Sequence, residues 1–296
     1  MTITRKPCWR TGSQEFRKYQ PHVIFHNNLT STVRGFPALV FDVADIGLLG
    51  REIAPLQDLS FRRMFRYQPF EIVAAIDSYG TQYEACAIGV FVNKQNPISR
   101  LTLLQLAAIF GCGPRRNTRT WGQVGLTGSW ANKPIHIYWY PTGDNIAAFF
   151  ELKVLQAAPS GGPTLPNGAR WNCALKEFSN TYDANDKPVV SSDALMMQDL
   201  AKDKYAIAYS GIHEKTTEVK ALALAAQEGA PYIPFTLATV ANRTYPLSRS
   251  MYLYLNRAPA NLSIRRSPSF HSERQGQESF AKQNVFLPLT ADAVSE

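Results

Sequence analysis

The run "CAIGVFVN", Cys86 to Asn93, constrains the fold of this chain more than any other stretch. An unbroken apolar run bounded by turn residues fits a strand buried on both faces, because a strand with one wet face alternates apolar and polar residues. Such a strand needs cover from both sides. The sequence supplies it at once: "NPIS" turns the chain, and "LTLLQLAAIF" (101–110) reads as a helix with Thr102 as its N-cap. The same alternation recurs along the chain. Strands are expected at "HVIF" (22–25), "ADIGLLG" (44–50), within "YQPFEIVAAI" (67–76), and at "KPIHIYWY" (133–140), "YAIAYSG" (205–211), "VKALALA" (219–225) and "YPLSRSMYLYLNR" (245–257). Helical segments are expected at 32–43, 145–155 and 192–203, and "APSGGPTLPNGA" (158–169) is a loop. Alternating strands and helices predict an α/β architecture with a mainly parallel sheet.

Composition narrows the function classes. A hydrophobic fraction of 45% over 296 residues is that of a globular chain long enough for two domains. The formal charge of +8 suits an acidic partner, whether a nucleic acid, an anionic surface or a small anion. The basic residues are scattered, and no nucleic-acid-binding module is present, so no nucleic-acid partner is expected. Cys8, Cys86, Cys112 and Cys173 form no CxxC pair, which argues against a zinc knuckle or a redox couple. The opening "MTITRKPCWRTGSQ" has basic residues but lacks the apolar core of an export signal.

The catalytic constellations are missing: no GxSxG, HExxH, GxxxxGK[ST] or GxGxxG occurs, and the histidines share no metal-ligand spacing. Asp42 and Asp45 have no metal partner or activated water nearby in sequence. Three places instead offer an anion site at the end of a strand or the start of a helix. These are Thr30-Ser31-Thr32, the turn Gly50-Arg51, and "YPTGDN", which holds Tyr140, Thr142, Gly143, Asp144 and Asn145. Taken singly, each is equally well an ordinary cap; together they point to a ligand beyond the carboxyl ends of the strands.

The order "AIGVFVNKQNPISRLTLLQLAAIFG", "TWGQVGLTGSWANKPIHIY", "AFF", "YAIAYSGI", "NRTYPLSRSMYLYLNRAP" and "GQESFAKQNVFLPLT" resembles the phosphate-type periplasmic solute-binding proteins of ABC importers. The resemblance runs from about Glu15 to the C-terminus. It implies a two-lobed α/β solute-binding fold of type II with a ligand cleft between the lobes. One lobe would comprise residues 1–88 and 212–296, and the other residues 89–211. It also implies binding of phosphate or a related small oxyanion without catalysis, and no cofactor or metal. The implied partners are the importer's membrane subunits, and the implied state is a monomer. Ser31 and Thr32 match the family's Ser/Thr-rich loop, and Gly50-Arg51 its Ser-Arg or Ser-Asp turn, with glycine in place of the first residue.

The departures from the family pattern are as informative. Where the family has an arginine ending a strand and Ser-Gly-Thr opening the next helix, this chain has Tyr140 and Asp144-Asn145-Ile146. Asp144 is therefore expected to cap the helix with its own carboxylate and to repel a phosphate dianion, unless Thr142 and Gly143 replace some contacts. The family's export signal, first strand and first ligand loop have no counterpart, so the first lobe is expected to lack a strand. "SIRRSPSFHSERQ" (263–275) stands where an amphipathic helix belongs. The compartment implied by the family is the periplasm, or the cytoplasm if the chain is expressed as written. The alternative reading is a degenerate or repurposed relative with an impaired cleft, acting as a partner-binding scaffold or a non-functional fragment. A phosphatase-like enzyme is a weaker rival, since no nucleophile and base are paired.

Overall fold

A computed structural model of the chain describes residues 6–26, 34–76, 78–79, 87–112, 118–141, 144–155, 170–171, 175–183, 188–212, 215–256, 277–278 and 287–289. The chain divides into two units, 1–87 with 248–296, and 88–247.

The first unit opens with helices α1 (Lys6–Tyr19) and α2 (Gly35–Val40), strand β1 (Ile46–Leu49), helix α3 (Pro55–Phe65) and strand β2 (Phe70–Ile76). The second unit follows with β3 (Ile88–Asn93), β4 (Arg100–Thr102), α4 (Leu103–Phe110), β5 (Gly111–Cys112), β6 (His136–Trp139) and α5 (Asn145–Phe150). It continues through β7 (Arg170–Trp171), β8 (Leu175–Glu177), β9 (Thr181–Tyr182), β10 (Pro188–Val190), α6 (Ser192–Leu200) and β11 (Ala206–Gly211). It closes with β12 (Val219–Ala221), β13 (Ala223–Ala225) and α7 (Leu237–Ala241), and β14 (Ser250–Leu255) then returns the chain to the first unit.

In the first unit β14 lies between β1 and β2, antiparallel to both. Its twofold alternation sends Met251 and Leu253 into a cluster with Ala74 and Ala75, and Tyr252 and Tyr254 into another with Phe36, Leu39 and Phe61. Helix α2 covers the second face by touching β1 almost backbone to backbone. A Cβ on Gly35 would stand 2.9 Å from the Leu48 carbonyl oxygen, and one on Gly47 2.9 Å from that of Gly35. Gln277 ties the C-terminal stretch to this sheet, its amide donating to the Ala74 carbonyl at 2.7 Å and accepting from the Leu289 N–H at 2.7 Å.

The second unit is built on a five-stranded sheet of order β12-β3-β11-β6-β8. Every residue of β3 and β11 is buried, as the unbroken apolar runs require. Thr102 caps α4 by accepting from the Gln105 N–H at 3.1 Å, while the Gln105 side chain accepts from the Thr102 N–H at 2.9 Å.

Four expectations are corrected. The sheets are not mainly parallel: β12, β3 and β11 pair antiparallel, only β11–β6 and β6–β8 are parallel in the large sheet, and the first unit's sheet is wholly antiparallel. Residues 22–25 form no ladder; Phe25 is held instead by an edge-on contact with Phe16 at 5.8 Å and by packing against the apolar cluster of Ala74, Ala75, Met251 and Leu253. The stretch 219–225 is two strands, because Leu222 N–H donates to Val90 and Ala223 N–H to Ser99, moving the chain from β3 to β4. The helix at 145 widens into a π-turn at Glu151–Leu155, which buries Val154 and Leu155. The pairing of β12 with β3 and of β13 with β4 joins residues 219–225 to the second unit. The segment 263–275 lies outside the described residues.

Asn93 shows what the polar residues of "VFVNKQN" do. Its buried amide donates to the Leu200 carbonyl at 3.3 Å and the Ala201 carbonyl at 2.8 Å, satisfying the last turn of α6, and its oxygen accepts from the Gln95 N–H at 2.9 Å. Asn93→Ala leaves these groups without partners. We expect it to lower unfolding free energy by about 1–3 kcal/mol, read from urea midpoints at unchanged slope.

Candidate functional site

Strand ends position the polar residues in each unit. In the first, β1 delivers the chain to buried Gly50 and half-buried Arg51. Arg51 Nη1 donates to the Glu52 carbonyl at 2.8 Å and to Gln57 Oε1 at 3.1 Å, and the same Gln57 oxygen accepts from the Ala54 N–H at 2.9 Å. The guanidinium is thereby fixed against the first turn of α3. The connection is steadied from below by Tyr254, whose hydroxyl accepts from the Ile53 N–H at 3.1 Å and donates to the Glu71 carboxylate. Burial, and then the Glu71 carboxylate, push the Tyr254 phenol far above its ordinary pKa.

In the second unit β6 ends at Trp139, and Tyr140 is buried at 1% exposure. Its phenol bonds to the carboxylate of Asp193, in the first turn of α6, and lies 2.8 Å from the hydroxyl of Ser210, near the end of β11. Ser210 completes a triangle with Asp193 Oδ1 at 2.8 Å. The ionised carboxylate can only accept, so the two hydroxyl protons are directed by it. Asp144 does what its position predicts: its Oδ1 accepts from the Ile146 N–H at 2.7 Å, capping α5. A cap of this kind is worth about 0.5–2 kcal/mol.

These charges act on two phenols. Burial first, then Asp193 and more distantly Asp144, raise the Tyr140 pKa well above its ordinary value. Burial first, then Asp144, do the same for Tyr209, whose ring lies 5.5 Å from that of Tyr140. Both phenols stay protonated at neutral pH. Among the described residues no cation pairs with Asp193, so this strand end presents carboxylates and hydroxyls.

The expected site residues are thus distributed as follows. Gly50 and Arg51 lie in the first unit, and Asp144 and Asn145 at the start of α5 in the second; Ser31, Thr32, Thr142 and Gly143 lie outside the described residues. Asp193 and Ser210 were missed by sequence reasoning. The signal available was "SSDALM", a serine cap followed by an acid in the first turn, and a serine closing the buried run "YAIAYSG". His136 pairs with Asp203 at 2.6 Å at the other end of β6, away from this cluster. No group of three or more His, Cys, Asp or Glu able to hold a metal occurs among the described residues.

A family model described as a PBP superfamily domain matches residues 64–278, well over half of the chain. The chain belongs to the PBP superfamily. Phosphate-binding protein PstS of Pseudomonas aeruginosa is 30% identical over 251 residues, covering 83% of this chain and 68% of that protein, which places the two in one family. Two solved structures share the fold. An ABC-type phosphate transport receptor from Vibrio cholerae matches with a TM-score of 0.64 at 17% identity, covering 95% of each chain. PstS from Borrelia burgdorferi matches with a TM-score of 0.63 at 15% identity, covering 98% of this chain and 96% of that one. The two-lobed α/β architecture expected from the sequence is that of these relatives.

The raised phenols set a pH dependence. A tyrosine whose folded pKa is raised contributes its full stabilisation below the unfolded value of about 10 and loses it as pH rises toward the folded value. Urea midpoints should therefore begin to fall as pH rises through about 10 and keep falling above it. Tyr140→Phe, which removes one such group, should make that fall shallower; an unchanged slope would mean that Tyr140 ionises freely in the folded chain.

Proposed function

We propose that this chain is the solute-binding component of an ABC importer and that it binds phosphate or a related small oxyanion without turnover. The observation that carries the reading is the kinship with a phosphate-binding relative at 30% identity, together with Arg51 held by its fold at a strand end. Its anchoring to the Glu52 carbonyl and the Gln57 amide oxygen presets the orientation of the guanidinium, whose planar fork matches two oxygens of a tetrahedral oxyanion. We further propose Ser31, Thr32 and Gly50 in the first unit, and Thr142, Gly143 and Asn145 in the second, as donors of hydroxyl and backbone N–H groups to the anion. The importer's membrane subunits would be the macromolecular partner, the chain a monomer, and the compartment the periplasm. Release of phosphate from a phosphate ester above a buffer control would overturn the absence of turnover.

In the second unit Asp193 and Asp144 place negative charge at the strand ends, and an anion approaching those strand ends is repelled, the more so as water is excluded. Asp193 also offers the remedy, because an arginine at position 140 would stand beside its carboxylate and gain a counter-ion. Tyr140→Arg combined with Asp144→Ser should strengthen phosphate binding at least tenfold, which is about 1.4 kcal/mol. Calorimetry on both proteins at one pH and salt concentration tests this. A parent that binds phosphate tightly and a double variant that binds it less well would place the contacts on Thr142 and Gly143 instead.

A further inference from the structure

The opposite end of the second unit's sheet carries a lysine cluster that oxyanion binding leaves unused. β6 and β11 run parallel, and β3 runs against them, so the starts of β6 and β11 and the end of β3 share one edge of the unit. Three connections are fastened together there. Asn96 donates to the Lys204 carbonyl at 3.2 Å, the Trp121 indole to the Tyr205 carbonyl at 3.1 Å, and the His136 N–H to the same carbonyl at 3.1 Å. These connections present Lys94, Lys133, Lys202 and Lys204, all exposed. Lys133 and Lys204 lie over the Tyr205 ring at 5.8 and 5.2 Å, and Trp130 meets that ring edge-on at 5.4 Å.

The neighbouring acids do not neutralise the cluster. Asp203 is taken up by His136 at 2.6 Å, the Tyr138 hydroxyl at 3.0 Å and the Tyr205 N–H at 2.9 Å. Burial opposes its ionisation, but these hydrogen bonds prevail and hold its pKa below the usual carboxylate value. Asp199 is paired with Lys176 at 2.5 Å. Glu218 is exposed beside Lys94, yet none of the four lysines forms an ion pair among the described residues.

We propose that this end of the second unit docks on an anionic lipid surface. Lysines are mobile point charges, suited to a diffuse layer of negative headgroups, whereas the paired readout of individual phosphates favours arginine. The ammonium groups of Lys133 and Lys204 lie over the Tyr205 ring, which disfavours a base stacking there, while tyrosine and tryptophan beside lysine suit a surface that is apolar on one side and wet on the other. The unit is also polar from end to end, with Asp144 and Asp193 at the far strand ends, so an anionic surface would orient it lysine end first.

Sedimentation of the full chain with vesicles tests the proposal. Phosphatidylcholine vesicles containing phosphatidylglycerol should retain the chain, pure phosphatidylcholine should not, and retention should fall as salt rises. Lys133→Glu with Lys204→Glu should reduce binding at least tenfold while leaving the thermal unfolding midpoint and the phosphate titration as in the parent. Absence of binding, equal binding to neutral vesicles, or an unaffected double variant would overturn the proposal. Retention of a single-stranded oligonucleotide without retention of vesicles would overturn it in favour of a soluble polyanion.

Discussion

The pairing of β3 with β11 is the constraint on which the second unit depends. Both strands are buried along their whole length, so neither can be stable without neighbours on both edges and cover on both faces. Five residue pairs from Ile88–Gly211 to Val92–Ile207 fix their register. That register puts Asn93 at one end, where it satisfies the last turn of α6, and Ser210 at the other, where it meets the first turn of the same helix through Asp193. One helix is thus pinned at both ends by polar residues at the two margins of an apolar core. The same register separates the lysine end from the carboxylate end.

The polar chemistry at the strand ends follows from burial. A phenol as enclosed as Tyr140 must find an acceptor, and a carboxylate beside it must find donors. Tyr140, Ser210 and Asp193 meet both needs within one triangle, and among the described residues no cation pairs with Asp193. Asp144 accepts from the Ile146 N–H of the helix it begins. These solutions stabilise the unliganded protein, and each uses hydrogen-bonding capacity that a strand-end anion site would otherwise direct at its ligand. Arg51 in the first unit is oriented by the Glu52 carbonyl and the Gln57 amide oxygen.

Much of this was legible in the sequence, and what was hidden was hidden for physical reasons. The buried strands, the Thr102 cap and the Asp144 cap depend on local pattern, and the structure reproduces them. Strand direction was not legible, because an apolar run is the same in parallel and antiparallel ladders. The division of 219–225 into two strands depends on where Val90 and Ser99 accept hydrogen bonds, which are partners distant in sequence. The run 22–25 has the residues of a strand, but among the described residues no ladder partner lies beside it. Asp193 escaped notice because an acid in a first helical turn is ordinarily a dipole partner, and only the fold brings it to Tyr140.

Asp193→Asn tests the account most directly, because it removes one charge and leaves the shape of the triangle. Phosphate binding by the parent and by this variant should be compared by calorimetry at the same pH and ionic strength. If the carboxylate opposes the anion, the variant binds phosphate more tightly, by about the 1.4 kcal/mol that corresponds to a tenfold change. Affinity that stays the same or falls would contradict the account, since Asp193 would then not face the anion or would be holding a group that the anion needs.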